Sequence, residues 1–307
     1  MARAATGAAN ADQDALRGIF PIIYTAFFED GRIDERGERR IVDFQIDAGT
    51  HGLAACGGAS ETGKMTLDER KWLLELCAEQ TSGRVPLIMG CTAATTDESI
   101  ELVRHGAAHG VRAAFGLLPG AQAQLKGGEL ADALHRHYLA LGEASPIPIM
   151  VQEVSNPIPA EVIVELFERC PNVRYVKEEA PDAGRRTTRL LELSGGRLGI
   201  FTGGANPVGE FERGAIGAIP GSIGVADLGT VYNRFVAGDV EGARRAWHHF
   251  LPLSHWRRQF GPLGAKEVLR RLGVIDGAYL RPPSDVVLDA YDLRELDEVM
   301  AIQGPPF

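Results

Sequence analysis

A single lysine near the middle of the chain has the side chain and the setting for covalent catalysis. It ends the apolar run Val173-Arg174-Tyr175-Val176-Lys177, which we predict to be a strand, directly before Glu178 and Glu179. An amine at a half-buried strand end loses solvation of its charged form, so a neutral nucleophile becomes available and can form a Schiff base with a ketone. Judged by this segment alone, an ordinary strand-end lysine that extends to solvent is the more common case.

The elements that would position Lys177 alternate along the chain. From Gly18 onward, short apolar runs alternate with amphipathic stretches whose apolar residues recur at three- and four-residue spacing, as in helices. Strands are predicted at 19–26, 52–56, 85–91, 111–118, 147–152, 173–177, 198–202 and 215–219. Helices are predicted at 34–48, 67–81, 96–109, 128–142, 160–169, 183–194, 205–213 and 226–237, with Asp34, Thr66 and Thr96 as N-caps.

This alternation predicts the fold class. Near-continuous apolar strands indicate parallel strands buried on both faces, and eight strand-helix units close a (β/α)8 TIM barrel, here over residues 18–238. Active sites of such barrels lie at the carboxyl ends of the strands, where Lys177 ends strand six. We predict a flexible tail at residues 1–17 and a C-terminal three-helix extension at 239–307, with helices at 239–252, 262–272 and 285–302.

Composition excludes several classes of partner. Acidic residues outnumber basic ones 41 to 32, which gives a net charge of -9, and no basic block suggests a nucleic-acid site. No apolar run approaches the roughly 18 residues of a membrane span.

The first residues lack a signal-peptide pattern, and the four cysteines are scattered along the chain, as is typical of reduced thiols. We therefore expect a cytoplasmic protein. No metal site is expected, because histidines such as His248 and His249 lack ligand spacing.

The loop after strand two has the composition of an anion site. It reads Cys56-Gly57-Gly58-Ala59-Ser60-Glu61-Thr62-Gly63. Gly57 and Gly58 would let the backbone approach an anion closely, and N–H donors there suit a carboxylate. The same glycines also suit a tight turn from strand to helix, and both interpretations can hold together.

These motifs, taken together, resemble the dihydrodipicolinate synthase / N-acetylneuraminate lyase family of class I aldolases. In that family a Gly-Thr-Thr-Gly-Glu loop precedes a Leu-Thr-x-x-Glu-Arg helix start, which Ser60-Glu61 and Met65-Thr66-Leu67-Asp68-Glu69-Arg70 match. The resemblance covers residues 18 to about 302. Further matches are Thr25, Phe27, Asp30-Gly31, Lys177-Glu178, Phe201 to Gly204, Pro262, Lys266, Leu272-Gly273 and Arg281-Pro282-Pro283.

The resemblance implies a barrel that assembles as a homo-oligomer, a dimer or tetramer, and acts on a small-molecule 2-oxo acid such as pyruvate. It implies Lys177 as the Schiff-base residue, with no cofactor besides this covalent imine. Gln152 and Glu61 are the other catalytic candidates. The substrate-binding candidates are Gly57, Gly58, Ala59, Ser60, Gly203, Gly204 and Ile219.

The sequence also departs from the family pattern. Gln152 replaces the usual tyrosine after strand five, Gly58 and Ala59 replace the two threonines, and Gly120-Ala121 replaces a Tyr-Tyr pair. Because the hydroxyl relay is missing, dihydrodipicolinate synthesis is not expected. Gln152 combined with Ser60-Glu61, and the segment from His249 to Arg258, are similar to the sugar-acid dehydratase branch, such as 2-keto-3-deoxyarabonate dehydratase.

We therefore expect a Schiff-base lyase that dehydrates or cleaves a 2-keto-3-deoxy sugar acid. Two alternatives are a 2-oxo-acid-binding protein with little turnover and a phosphate-binding barrel enzyme outside this family. The sequence does not assign the base that removes the C3 proton, nor does it decide which of Gln152 and Glu153 faces the lumen. A structural role for Glu61 is as well supported as a catalytic one. The candidate bases are Glu61, Glu153, Glu178, Glu179 and Tyr24.

Overall fold

Strands and helices alternate along the described part of the chain. The computed structural model describes residues 16–120, 122, 124–154, 157–221 and 223–304. The strands are β1 Gly18–Ile19, β2 Leu53–Ala55, β3 Leu87–Gly90, β4 Ala113–Gly116, β5 Ile149–Gln152, β6 Val173–Glu178, β7 Gly199–Thr202 and β8 Gly217–Ala218. The helices are α1 Glu35–Asp47, α2 Leu67–Thr81, α3 Thr96–Ala108, α4 Gly127–Ala144, α5 Ala160–Arg169, α6 Ala183–Ser194, α7 Pro207–Glu212, α8 Val225–Val236, α9 Val240–Arg271 and α10 Ala290–Gln303.

The eight strands form one parallel sheet in the order β1-β8-β7-β6-β5-β4-β3-β2. The sheet closes on itself beyond β1, where Ile22 bridges Ala54 of β2 on one side and Gly221 on the other. Helices lie between successive strands, so the chain folds as a (β/α)8 TIM barrel, which confirms the predicted fold class. Parallel strands require such crossover connections, and the helices shield the outer face of the sheet.

Local sequence explains where several helices begin. Asp34 caps α1, and Thr66 caps α2 in a capping box with Glu69, as the sequence predicts. The predicted cap at Thr96 is wrong by one residue. Thr95 caps α3 instead, because its hydroxyl accepts from the backbone N–H of Glu98 while the Glu98 carboxylate returns to the Thr95 backbone.

The barrel interior is an apolar core rather than a channel. It contains buried side chains of β1 to β8 and their flanks, among them Phe20, Phe115, Met150, Phe201 and Ile219. These residues alternate with outward-facing ones, as strand geometry requires. The interior therefore forms a filled floor beneath the carboxyl ends of the strands.

One residue of the predicted tail, Leu16, packs into the barrel. Residues 1–15 lie outside the described residues, but Leu16 is buried in the barrel interior and its N–H lies 3.4 Å from the hydroxyl oxygen of Tyr175. Burial of an apolar side chain favours this position over solvent. Leu16 thus contributes to the core of the barrel, whose first strand begins at Gly18.

The C-terminal extension has three helical segments, because Gly261, with φ 55° and ψ -130°, interrupts α9. The predicted end of the first segment at 252 is wrong, since the helix continues through Pro252 to this kink. Burial of Phe250, Leu253 and Trp256 on one face explains why the proline is tolerated. The last segment begins at Ala290 rather than 285, where Asp289 caps it. None of the helices described here is long and apolar enough to cross a bilayer.

Candidate active site

Lys177 and Gln152 lie side by side at the carboxyl ends of adjacent strands. The two residues are register partners in β6 and β5. Tyr175, two residues before Lys177, faces the barrel interior, so alternation directs Lys177 to the same side. The lysine is only 2% exposed, and its Nζ lies 5.2 Å from the centre of the Phe115 ring. Lys177 thus stands on the apolar floor of the barrel, where the sequence predicted it.

Glu179 completes this group and is the carboxylate nearest the lysine. Its Oε2 atom lies 2.7 Å from Nζ of Lys177 and accepts a hydrogen bond of 3.1 Å from Nε2 of Gln152. A Cβ added at Gly203 would lie 3.0 Å from the other carboxylate oxygen, Oε1. Gly203 therefore leaves the space that Glu179 occupies. Sequence reasoning named Glu179 only as one candidate base; its position two residues after Lys177 is the signal for a shared face.

Two of the other candidate carboxylates face away from the lysine. Arg186 donates to Glu153 at 2.7 Å and to Glu178 at 2.9 Å, on the outer side of β5 and β6. Burial, and then the neighbouring Glu178, raise the pKa of Glu153 to about 8. The side chain that faces the lumen is thus that of Gln152, and Glu153 lies behind it.

The strand-two loop forms a short turn above the barrel. Gly58–Ser60 is a 3-10 turn, and the N–H groups that open such a turn have no partner within it. A Cβ at Gly57 would lie 2.9 Å from Cγ2 of Ile22, so the turn requires glycine there, whereas Gly58 has open space around it. Ala59 is half-buried in the same turn. The geometry suits the predicted binding of a carboxylate by backbone donors.

Ser60, a substrate-binding candidate, uses its hydroxyl for a hydrogen bond within the protein. Its hydroxyl donates to the carbonyl of Ile23 at 2.5 Å, and its own carbonyl accepts from the Thr25 hydroxyl at 2.9 Å. The side chain is fully buried. Since the hydroxyl proton is already used, Ser60 holds the loop to the segment after β1 rather than offering a free donor.

Glu61 lies in a separate buried ion pair. Its Oε1 atom is 2.6 Å from Nζ of Lys266, and Oε2 accepts from Lys64 at 3.1 Å and from the Arg281 backbone at 3.1 Å. Burial lowers the pKa of Lys266, and the charge of Glu61 counters this effect. These partners tie the strand-two loop to the C-terminal extension, so the structure does not bring Glu61 together with Lys177, Gln152 and Glu179.

The remaining candidates, Gly204, Ile219 and Tyr24, lie at separate positions in the barrel. Gly204, with φ 74°, turns the chain after β7, and its N–H lies 3.3 Å from the Thr202 hydroxyl. Ile219 is buried in the apolar interior. The hydroxyl of Tyr24 accepts from Arg257 at 3.2 Å. Tyr138 donates to the carbonyl of Gly116 at 2.6 Å, and burial raises the pKa of this phenol.

A crevice of about 330 Å³ opens next to Gln152. It lies between the loops after β4 and β5 and helix α4, on the side where the family tyrosines are replaced. Gly120 lines it, while Ala121 lies outside the described residues. Thr92, Gln152 and Glu153 are the polar lining residues of the crevice. The other lining residues are aliphatic: Leu117, Leu118, Leu130, Leu134, Val154 and Ile158.

Known proteins have similar sequences over nearly the whole chain. The chain is 29% identical over 287 residues to a 4-hydroxy-tetrahydrodipicolinate synthase of Rhizobium meliloti, with 90% of this chain and 95% of that protein covered. It is also 29% identical over 274 residues to an L-2-keto-3-deoxyarabonate dehydratase of Azospirillum brasilense, covering 87% of this chain and 88% of that protein.

Solved structures show the same architecture. A dihydrodipicolinate synthase from Rhodopseudomonas palustris superposes with a TM-score of 0.86 at 23% identity, covering 94% of this chain and 98% of that one. At this identity the likeness concerns the fold alone. The Dihydrodipicolinate synthetase family matches residues 15–300, which is nearly the whole chain. The chain therefore belongs to the dihydrodipicolinate synthetase family, whose members include lyases.

Proposed function

We propose that this protein is a Schiff-base-forming lyase that acts on a hydroxylated 2-oxo acid longer than pyruvate. The observation that carries this proposal is the contact of Lys177 with Glu179, and of Glu179 with Gln152, at the carboxyl ends of β5 and β6. A buried amine beside a carboxylate has both the nucleophile and the proton acceptor that imine formation needs.

Imine formation uses Lys177 and Glu179, the two charged residues of this group. Glu179 accepts the proton that the Lys177 ammonium must lose, and the neutral amine attacks the C2 carbonyl of the substrate. The resulting carbinolamine loses its C2 hydroxyl as water after that oxygen is protonated, which leaves a protonated imine. The backbone donors at Gly58 and Ala59 would hold the substrate carboxylate while this occurs.

The lyase step follows from the electron-withdrawing imine. A base, which we assign to Glu179, removes a proton from C3, and the enamine electrons expel the hydroxyl on C4, which leaves as water once protonated. In retro-aldol cleavage the base instead takes the proton of the C4 hydroxyl, and the C3–C4 bond breaks. After cleavage, the enamine takes a proton at C3 from the protonated Glu179 and becomes the imine again. Hydrolysis of the imine then releases Lys177, so both routes use the lysine imine and Glu179 without a cofactor.

The substrate class follows from Gln152. An amide can donate and accept hydrogen bonds but transfers no proton, so Gln152 would orient substrate hydroxyl groups while the carboxylate does the proton work. The relative named L-2-keto-3-deoxyarabonate dehydratase supports a 2-keto-3-deoxy sugar acid as the substrate. The dihydrodipicolinate synthase reaction is not expected, since Gln152, Gly58 and Ala59 supply no hydroxyl relay.

A second candidate substrate is favoured by the crevice beside Gln152. Its aliphatic lining would stabilise a carbon chain more than a row of hydroxyl groups, because buried hydroxyls need partners. On this alternative, the enzyme keeps the same imine chemistry but acts on a 4-hydroxy-2-oxo acid with an apolar substituent beyond C4.

Borohydride trapping combined with a substrate panel tests the proposal. Lys177 should be reductively alkylated with pyruvate or a longer 2-oxo acid, and Lys177→Ala should lose both adduct and turnover. Lys71→Ala, on the outer face of α2, serves as the control. An adduct on another lysine with Lys177 unmodified would refute the assignment. NMR of the products from sugar acids and from apolar analogues distinguishes the two substrate classes, and trapping without any turnover favours a binding protein.

We also propose that the protein is a cytoplasmic homo-oligomer. Exposed apolar side chains of the extension, including Val287, Tyr291 and Ile302, would be covered in a homodimer or homotetramer. The buried thiols of all four cysteines are typical of a cytoplasmic protein. Light scattering of the purified protein measures its assembly.

A further inference from the structure

Two histidines and a glutamate meet on the outer helical layer, between α2 and α3. Glu75, His105 and His109 each offer one ligand atom, and these atoms all lie within 4.8 Å of one another. His105 lies in the last turn of α3 and His109, four residues further on, is its C-cap, so the two rings project from the same side of the helix end. The signal for this pair in the sequence is the four-residue spacing of His105 and His109, which differs from the adjacent pair His248 and His249 of the C-terminal extension.

His109 is oriented to bind a cation. Its Nδ1 atom lies 2.9 Å from the carbonyl oxygen of His105. A carbonyl can only accept, so Nδ1 carries the proton, and the lone pair of the neutral ring is at Nε2. A backbone carbonyl in this position is a common outer partner of metal-binding histidines, since it fixes the tautomer and the ring orientation.

His105 supplies the second observation. Its Nε2 atom is buried and makes no hydrogen bond to any described residue, although Oε1 of Glu75 lies 2.9 Å away. The rings of His105 and His109 are 4.4 Å apart between centroids and tilted by 39°. A nitrogen and a carboxylate oxygen that approach without hydrogen-bond geometry are placed as two ligands of one ion would be.

We propose that Glu75, His105 and His109 form a binding site for a divalent transition-metal ion of the Zn²⁺ type. Two imidazole nitrogens and one carboxylate oxygen suit Zn²⁺, whose bonds to such ligands are about 2.0–2.2 Å. The three ligand atoms, which lie within 4.8 Å of one another, would move closer by side-chain rotation when the ion binds. With three protein ligands, the remaining coordination position is filled by water.

The site is separate from the proposed catalysis. His109 lies beyond the last turn of α3 and, with Val85 and Leu87, lines a cavity next to the start of β3. The amino ends of the strands are opposite to the face that holds Lys177. A bound ion would therefore cross-link α2 to α3 and stabilise the barrel, without taking part in imine formation.

Zinc titration of the untagged full-length protein tests this inference. After treatment with a chelator, calorimetry with Zn²⁺ should show one ion per chain, and the midpoint of thermal unfolding should rise with added Zn²⁺. His109→Ala and Glu75→Gln should each weaken binding by at least about tenfold, as loss of a metal ligand or its support does. Both substituted side chains are accessible at the surface, so the variants should fold, which circular dichroism checks.

A matched control exists on the neighbouring helices. His135 and Glu165, on α4 and α5, form a similar pair with 3.3 Å between Nε2 and Oε2, and no second histidine joins them among the described residues. His135→Ala should leave zinc binding unchanged. Absence of saturable binding, or equal binding by the His105→Ala/His109→Ala double variant, would overturn the inference. Neither result changes borohydride trapping at Lys177, which tests the proposed function independently.

Discussion

Nζ of Lys177 lies 2.7 Å from Oε2 of Glu179, two residues further along the chain. This pair lies over the apolar interior of the barrel, and Gln152 donates to the same carboxylate oxygen. On the proposed function, this arrangement would divide three tasks among three residues. The amine would form the covalent bond, the carboxylate would move protons, and the amide would orient both the carboxylate and the substrate.

Replacing Glu179 tests the assignment of the base. Glu179→Gln keeps the size of the side chain but removes its proton-transfer capacity, so kcat should fall by about 10²- to 10⁴-fold. Steady-state kinetics measure this loss, while borohydride should still trap the imine at Lys177 after long incubation. Glu168→Gln, on the exposed face of α5, is the control. Retention of full kcat by Glu179→Gln would assign the base elsewhere.

Replacing Gln152 tests the orienting role. Gln152→Ala removes a hydrogen-bond partner of Glu179 and of substrate hydroxyls, which should cost about 1–3 kcal/mol, mostly as a higher KM. Michaelis–Menten analysis separates KM from kcat. If kcat falls by as much as in the Glu179 variant while KM stays constant, Gln152 has a role in the chemical step that an amide cannot perform by itself.

Breaking the ion pair between Glu61 and Lys266 tests whether Glu61 has a structural role. Glu61→Gln leaves a buried ammonium group without its counter-charge, so the free energy of unfolding should fall by about 3–5 kcal/mol. Adding Lys266→Met should restore part of it. Denaturant unfolding measures both, with the exposed Arg40–Asp276 pair, broken by Asp276→Asn, as the control. Unchanged stability together with lost turnover would instead support the catalytic role.

Glu38 should make stability depend on pH. Burial raises the pKa of this carboxyl from 4.5 to about 7 in the folded protein. The folded state thus binds more protons than the unfolded state between these values, and stability falls as pH rises through that window. The loss is on the order of 3 kcal/mol.

Glu38→Gln replaces the carboxyl group with a neutral amide, so it should remove the part of the pH dependence of stability that Glu38 causes. The midpoint of thermal unfolding, compared at about pH 5 and pH 7.5 on either side of the Glu38 transition, should decline less in Glu38→Gln than in the parent protein. The exposed Glu35→Gln variant of the same helix should behave like the parent. Equal declines in Glu38→Gln and the parent would show that Glu38 does not cause the pH dependence.

Most of the fold could be predicted from periodicity. The spans of α2, α5 and α6 agree with the sequence to the residue, because apolar spacing is a local signal and, at α2, so is the capping box. The error at Pro252 occurred because tertiary contacts outweigh local preference there. Buried aromatic side chains carry α9 through this proline.

The sequence by itself determined the strand-helix alternation and the position of Lys177 at a strand end. Strand periodicity also required that neighbours such as Lys177 and Glu178 face opposite sides. Only the closed barrel decided which side is the lumen, and hence that Gln152 faces inward while Glu153 turns to Arg186. It also joined Glu61 to Lys266, which is 205 residues away in the chain. Such pairings depend on how distant segments meet in space, and a local pattern carries no information about that.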